Sequence, residues 1–191
     1  MSYKLFAKRK SLRFAQGIPL SDRQLYAIGL VASLWALVEF FVVCFGQELA
    51  KSDPAKKAEF DSRIAFRHRA RMLRTMVEAE LIEPWRSQLL TILNRAGEVE
   101  HERDKIIHSV WGGPPVGERP ADESTQILGG GYAGRTFFKW KLTYGGAMEV
   151  VKKLDAIAAD FVEFQIKAAG SNNFTTETAL QRIRRTQDQR P

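Results

Sequence analysis

The stretch from Leu25 to Gly46 holds one charged residue, Glu39, in a run of otherwise apolar, small or uncharged side chains. About 20 such residues span the hydrocarbon of a bilayer, so this run must either be covered by protein or lie in lipid. Ser21, followed three residues later by Gln24, has the spacing of a capping box, which predicts a helix from Asp22 to Leu49. An acid well inside a membrane span costs about 2.5 to 3.5 kcal/mol on insertion scales. Gly29, Ala32, Ser33, Ala36 and Gln47 also offer small or polar positions against which neighbouring helices pack closely. A signal anchor, with basic residues before it, is the competing reading. The preferred one is the central helix of a bundle, with no membrane association and a cytoplasmic location. Cys44 is the only cysteine, which excludes an intrachain disulfide and a cysteine-based zinc site. Its place in the apolar run reads as core packing.

Charge is unevenly distributed. The formal net charge is +7 over 191 residues. Lys4, Lys8, Arg9, Lys10, Arg13 and Arg23 face only Asp22 at the start of the chain, whereas Arg182, Arg184, Arg185 and Arg190 face Glu177 and Asp188 at the end. The residues between carry equal numbers of basic and acidic side chains. Basic ends of this kind solubilise a chain, or less commonly contact RNA or anionic lipid. The chain divides into a basic N-terminal extension (1–20), a helical domain (21–170) and a polar C-terminal tail (171–191). This length suits one domain with a sizeable core.

Asp53 followed by Pro54 is an N-cap and first-turn proline, and predicts a second helix reaching Leu81. Phe60, Ile64, Met72, Leu73, Met76 and Val77 give it an apolar side. Arg63, Arg67, His68, Arg69, Arg71 and Arg74 crowd the other, as a solvated face or as a surface that tracks RNA phosphates. After Pro84, the residues Trp85, Leu89, Ile92, Ala96, Val99, Arg103, Ile106 and Val110 recur in steps of three and four, the pattern of a packed helical seam. Arginine on such a seam costs several kcal/mol unless it is paired or lines a polar cleft. Arg103 is therefore either in a buried ion pair, with Glu39 the candidate, or part of an anion site.

Gly112, Gly113, Pro114 and Pro115 end the third helix and leave His108 in its last turn. Residues 112–146 form a glycine- and proline-rich excursion, read as a loop or as a small hairpin pairing residues 126–128 with 135–142. Thr143 caps a fourth helix with Val151, Leu154, Ile157, Ala158 and Phe161 on one side and Gly170 at its C-terminal end; Leu180 and Ile183 suggest one helical turn in the tail. The fold class expected is all-α, an antiparallel four-helix bundle with the excursion between helices three and four.

Three motif matches fail on context. Gly129, Gly131 and Gly134 have dinucleotide-loop spacing, but a strand-like segment follows where a helix is needed. His101 and Glu102 begin a zinc-protease motif, yet Lys105 stands where its second histidine belongs. The HERD string lacks the Asp-Phe-Gly that follows a kinase catalytic loop. No cofactor and no metal is expected.

Arg103, Asp104 and His108 remain, within ERDKIIHSVW. This segment resembles the Arg-polar-x3-His motif of the HEPN superfamily (higher eukaryotes and prokaryotes nucleotide-binding domains). An apolar first helix bearing one acid, the motif at the end of the third helix, a Trp and Gly after the histidine and a Thr-capped last helix extend the likeness over residues 21–168. The resemblance implies a metal-independent endoribonuclease, a toxin or phage-defence component checked by a cognate antitoxin protein. It also implies Glu39 holding Arg103. Side-chain chemistry agrees: histidine exchanges protons near neutral pH, and arginine stays charged and grips two phosphate oxygens. Asp104 would orient either group. The plainer readings are a helix-terminal histidine stabilised by the helix dipole and an exposed aspartate. A non-catalytic HEPN-like module binding nucleotide, RNA or a protein partner is the alternative function. Five residues along a regular helix turn through about 140° and rise about 7.5 Å, so Arg103 and His108 do not share a face. Either the last turn distorts before the Gly-Gly-Pro-Pro break or the motif lines a groove between subunits; the pairing common in the family points to the second, a homodimer with both motifs near its axis.

Overall fold

Ser21 opens the first helix, α1 (Asp22–Leu49), through the capping box its spacing predicts. The Ser21 hydroxyl accepts from the Gln24 amide at 3.2 Å, and the Gln24 side chain accepts from the Ser21 amide at 2.9 Å. The computed structural model describes residues 20–108, 110–112, 127–133 and 136–168. After α1 come α2 (Pro54–Ser62), α3 (Phe66–Glu80) and α4 (Trp85–His108). Three strands come next, β1 (Val110–Gly112), β2 (Ile127–Ala133) and β3 (Thr136–Leu142), and then α5 (Tyr144–Ala168). The body is helical, and α1, α3, α4 and α5 enclose one core. The expectations for Gly170, Leu180 and Ile183 lie outside the described residues.

The helix expected from Asp53 to Leu81 is two helices. Its start is as predicted, with the Asp53 carboxylate accepting from the Ala55 and Lys56 amides, each at 3.0 Å. It then breaks at Arg63 (φ −79°, ψ 119°) and Ala65 (φ −75°, ψ 135°), both extended. Packing against α1 explains the break. Phe60 lies against Gly46, and Phe66 meets Trp35 at 4.5 Å between centroids with the rings tilted by 59°. Eleven residues separate Gly46 from Trp35, which places them on nearly one face of α1 and about 16.5 Å apart. A continuous helix would advance only about 9 Å from residue 60 to residue 66 and would turn the two rings about 120° apart. Extended residues cover more than twice the distance per residue, so the link lets both rings reach α1. Ile64, expected in the apolar stripe, sits on this link and is 89% exposed.

Leu89, Ile92, Ala96, Val99 and Ile106 of the predicted seam are buried on α4, together with Leu93. Val110, the last seam position predicted, belongs to β1. Aromatic rings join α1 to α5: Phe41 stacks on Phe161 at 5.3 Å, and Phe45 meets Phe161 at 5.9 Å and Phe164 at 5.4 Å. Thr143 accepts from the Gly146 amide at 3.0 Å and so caps α5. Between α4 and α5 the strands form an antiparallel sheet in the order β1-β2-β3. The glycines of β2 are therefore ladder residues: Gly129 lies between Trp111 and Trp140 in register. The next element in the chain is strand β3, where a dinucleotide loop would lead into a helix.

One face of α1 is covered, by residues from Ala27 through Val31, Trp35, Val38 and Val42 to Leu49. The other is open: Leu25, Tyr26, Leu37 and Phe40 are 38%, 62%, 39% and 58% exposed. The helix expected at the centre of a bundle is therefore packed on one side and open on the other. By length and composition α1 could also cross a membrane. Cys44 corrects in the same direction. It is exposed and not core, although partial burial against helix neighbours pushes its thiol above the ordinary value.

A Cβ at Gly46 would run into the Phe60 ring. Gly46→Ala is expected to cost about 1 to 3 kcal/mol in urea unfolding, and Phe60→Ala about 3 to 5 kcal/mol. In the double variant the new methyl enters the vacated space, so the two costs should fall short of adding by at least about 0.5 kcal/mol. Strict additivity would show that Phe60 does not press on Gly46.

Candidate active site at the end of helix α4

Charged residues in the last two turns of α4 point to three different helices. Glu100 pairs with Arg67 of α3 at 3.3 Å, and Glu102 pairs with Lys153 of α5 at 2.7 and 2.9 Å. Arg103 lies between them and turns towards α1. Its guanidinium carbon sits 4.8 Å from the centre of the Trp35 ring, within cation–π range. Trp35 is 1% exposed and is backed by Phe66. The Arg103 side chain is only 17% exposed, and its Nε is buried with no hydrogen bond among the described residues.

The outer edge of the guanidinium meets the rest of the motif. Arg103 Nη1 donates to Asp104 Oδ1 at 2.7 Å and lies 3.3 Å from His108 Nε2. His108 Nε2 is 3.9 Å from Asp104 Oδ1. The side chains become more open outwards, Asp104 at 40% and His108 at 67% exposed. An anion arriving from solvent therefore meets the imidazole first and the guanidinium edge behind it. The 140° helical offset does not keep the two apart, because the long arginine side chain bends back along the last turn. This corrects the expectation that one helix presents them poorly.

Glu39 is half-buried and makes no ion pair with Arg103. Trp35, one turn before Glu39, occupies the inner face of the guanidinium, and Asp104 supplies the carboxylate. Sequence reasoning missed Trp35, which looks like any core aromatic in the apolar run. The usable signal was the seam arginine itself, since an aromatic face satisfies a half-buried guanidinium as an acid does. Glu102, Lys153 and the Arg67–Glu100 pair were also missed, because long-range partners leave no mark on local spacing.

The arginines expected to track phosphate do not share one surface. Arg74 turns inward and donates to the Leu93 carbonyl at 2.9 Å, and Arg69 is half-buried with an unpartnered Nε among the described residues. Arg63, Arg67, His68 and Arg71 are exposed, with Arg63 paired to Glu59 at 2.7 Å. His101 is also exposed. Among the described residues no group of His, Cys, Asp and Glu side chains could hold a metal ion.

Comparison of the chain with protein-family models, with curated proteins and with solved structures finds no match in any of the three.

Because Glu39 and Arg103 are not paired, Glu39→Gln is expected to change the unfolding free energy by less than about 0.5 kcal/mol. Arg103→Met should be neutral or stabilising by about 1 kcal/mol, since it removes the desolvation cost and keeps the length. Urea denaturation checks both. A loss of 3 kcal/mol or more in Glu39→Gln, the scale of a broken buried pair, would restore the Glu39–Arg103 pair.

Proposed function

We propose that this protein is a metal-independent endoribonuclease of HEPN type, with its helices arranged as that family's antiparallel four-helix bundle. One observation carries the reading: Arg103 Nη1 and His108 Nε2 lie 3.3 Å apart at the solvent-facing end of a half-buried guanidinium. Cleavage begins as the RNA 2′-hydroxyl attacks the neighbouring phosphorus. A 2′-O–P bond forms, the P–O5′ bond breaks, and the products are a 2′,3′-cyclic phosphate and a 5′-hydroxyl. The base takes the 2′-hydroxyl proton and an acid delivers one to the leaving 5′-oxygen. His108, exposed at the end of α4, serves as both in turn: it takes the 2′-hydroxyl proton and then delivers a proton to the leaving 5′-oxygen. Arg103 holds the non-bridging oxygens as negative charge builds on them. Asp104, bonded to the guanidinium, orients it. Exposed Arg71 on α3 offers the RNA backbone one further positive charge, since Arg63 and Arg67 are paired with Glu59 and Glu100. Such an activity must be restrained in its own cell, which is the place of a cognate antitoxin protein in a toxin or phage-defence system.

A homodimer is part of this proposal, on new grounds. Each chain brings its own Arg103 and His108 together, so no second motif is needed to complete the site. The support for a dimer is instead the open apolar face of α1, where Leu37 and Phe40 stand about 200° and 140° around the helix from Trp35. A second copy seated there leaves two separate active sites, each within one cytoplasmic chain.

Purified protein is expected to cut RNA in the presence of a chelator. His108→Ala should lower kcat/KM by about 10² to 10⁴, and Arg103→Ala by about 10² or more. Cleavage indifferent to His108→Ala overturns the enzyme assignment; RNA binding without cleavage would make the protein a non-catalytic RNA-binding module. Phe40→Glu should turn a dimer at micromolar concentration into a monomer in light scattering, with little loss of turnover per chain. A parent chain that is already monomeric and detergent-free removes the dimer.

A further inference from the structure

We propose that Trp35 is a positioning residue of the Arg103–His108 site, acting through the guanidinium that rests on its indole face. A guanidinium can be held by its edge, by its face or by its aliphatic stem. The edge partners here are open to solvent: Asp104 adjoins Arg103 in sequence and is 40% exposed, and His108 is 67% exposed. Trp35 is 1% exposed and has the Phe66 ring of α3 at 4.5 Å. The ring is thus the buried contact of the guanidinium, 4.8 Å from its carbon.

Face contact also leaves the useful groups free. A guanidinium held by a ring gives one edge N–H to Asp104 and keeps the others on that edge for phosphate oxygens. A buried carboxylate in place of the ring would take up those as well. A second observation singles out the indole. Trp35 Nε1 is buried with no hydrogen bond among the described residues. An orphaned buried N–H calls for a reason. Phe or Leu would fill the position without one. What tryptophan adds is the most strongly cation-binding face among the aromatic side chains.

The test compares Trp35→Phe and Trp35→Leu in the full chain. Its first arm is spectroscopic and independent of activity. The Arg103 Nε–Hε signal in a ¹⁵N correlation spectrum, assigned by its loss in Arg103→Lys, should be shifted upfield by the ring and exchange slowly with water. In Trp35→Leu it should move to the solvent-exposed position, and in Trp35→Phe it should fall between the two. The second arm rests on the ribonuclease reading. On RNA without metal, Trp35→Leu should lose about tenfold to thirtyfold in kcat with KM within about twofold, and Trp35→Phe should recover most of that loss. A purely structural tryptophan would change the ring-current shift but leave Nε–Hε exchange with water as slow in Trp35→Leu as in the parent, which overturns the proposal. If the parent does not cut RNA, the ribonuclease reading fails and the spectroscopic arm still decides the role of Trp35. If Trp35→Leu does not fold, exchange as slow in Trp35→Phe as in the parent is the overturning result.

Discussion

Arg103 lying across Trp35 is the contact around which the end of α4 is arranged. Taking a guanidinium out of water costs several kcal/mol. A desolvated cation–π contact returns about 2 kcal/mol, and a charge-assisted hydrogen bond about 1.5 to 3 kcal/mol. With the Asp104 bond at 2.7 Å the two gains are of the size of the penalty. The arginine can therefore stay on an apolar seam without a buried acid. The balance is narrow, which ties the arginine to the ring, and the ring to whatever supports it. Phe66 is that support, and it reaches Trp35 only because the chain opens out between α2 and α3. A break that looks like a local defect is thus a condition for the site.

The ion pairs on either side of Arg103 have a different part. Arg67 is 65% exposed in its pair with Glu100, and Lys153 is 49% exposed in its pair with Glu102. Exposed pairs of this kind contribute about 0.2 to 1 kcal/mol each, too little to hold α4 in place against the apolar core. Their value is angular. Glu100 and Glu102 point to α3 and α5, so α4 cannot roll towards either neighbour without breaking one pair. A roll of a few tens of degrees would lift the guanidinium off the ring.

Local signals in the sequence were read well because they act over a few residues. Ser21 with Gln24, Asp53 with Pro54, and Thr143 begin α1, α2 and α5 where their hydrogen-bonding chemistry requires. The α4 seam was legible for the same reason, and Arg103 stood out as its one misfit. Which partner would satisfy Arg103 was not legible. Periodicity tells which residues share a face, but not which neighbouring side chain meets that face, and Trp35 and Glu39 lie one turn apart on α1. The division of the helix at residues 63–65 was hidden too. Phe60 and Phe66 fit an apolar pattern whether or not the helix is continuous, and only the distance between their seats on α1 decides. Cys44 was misjudged because a run apolar all round carries no mark of its inner side.

That uniformity of α1 bears on how the site is used. Trp35, Val38 and Val42 face the core, while Leu37 and Phe40 face away from it with no charged side chain beside them except Glu39 at the border. Contiguous exposed apolar surface of this kind is a feature of protein and membrane contact sites. Gly29, Ala32, Ser33 and Ala36 on the same side lack long side chains, so another helix can come close along the axis. The guanidinium seat lies on the opposite side of α1. The same helix thus carries the arginine seat on one side and open apolar surface on the other.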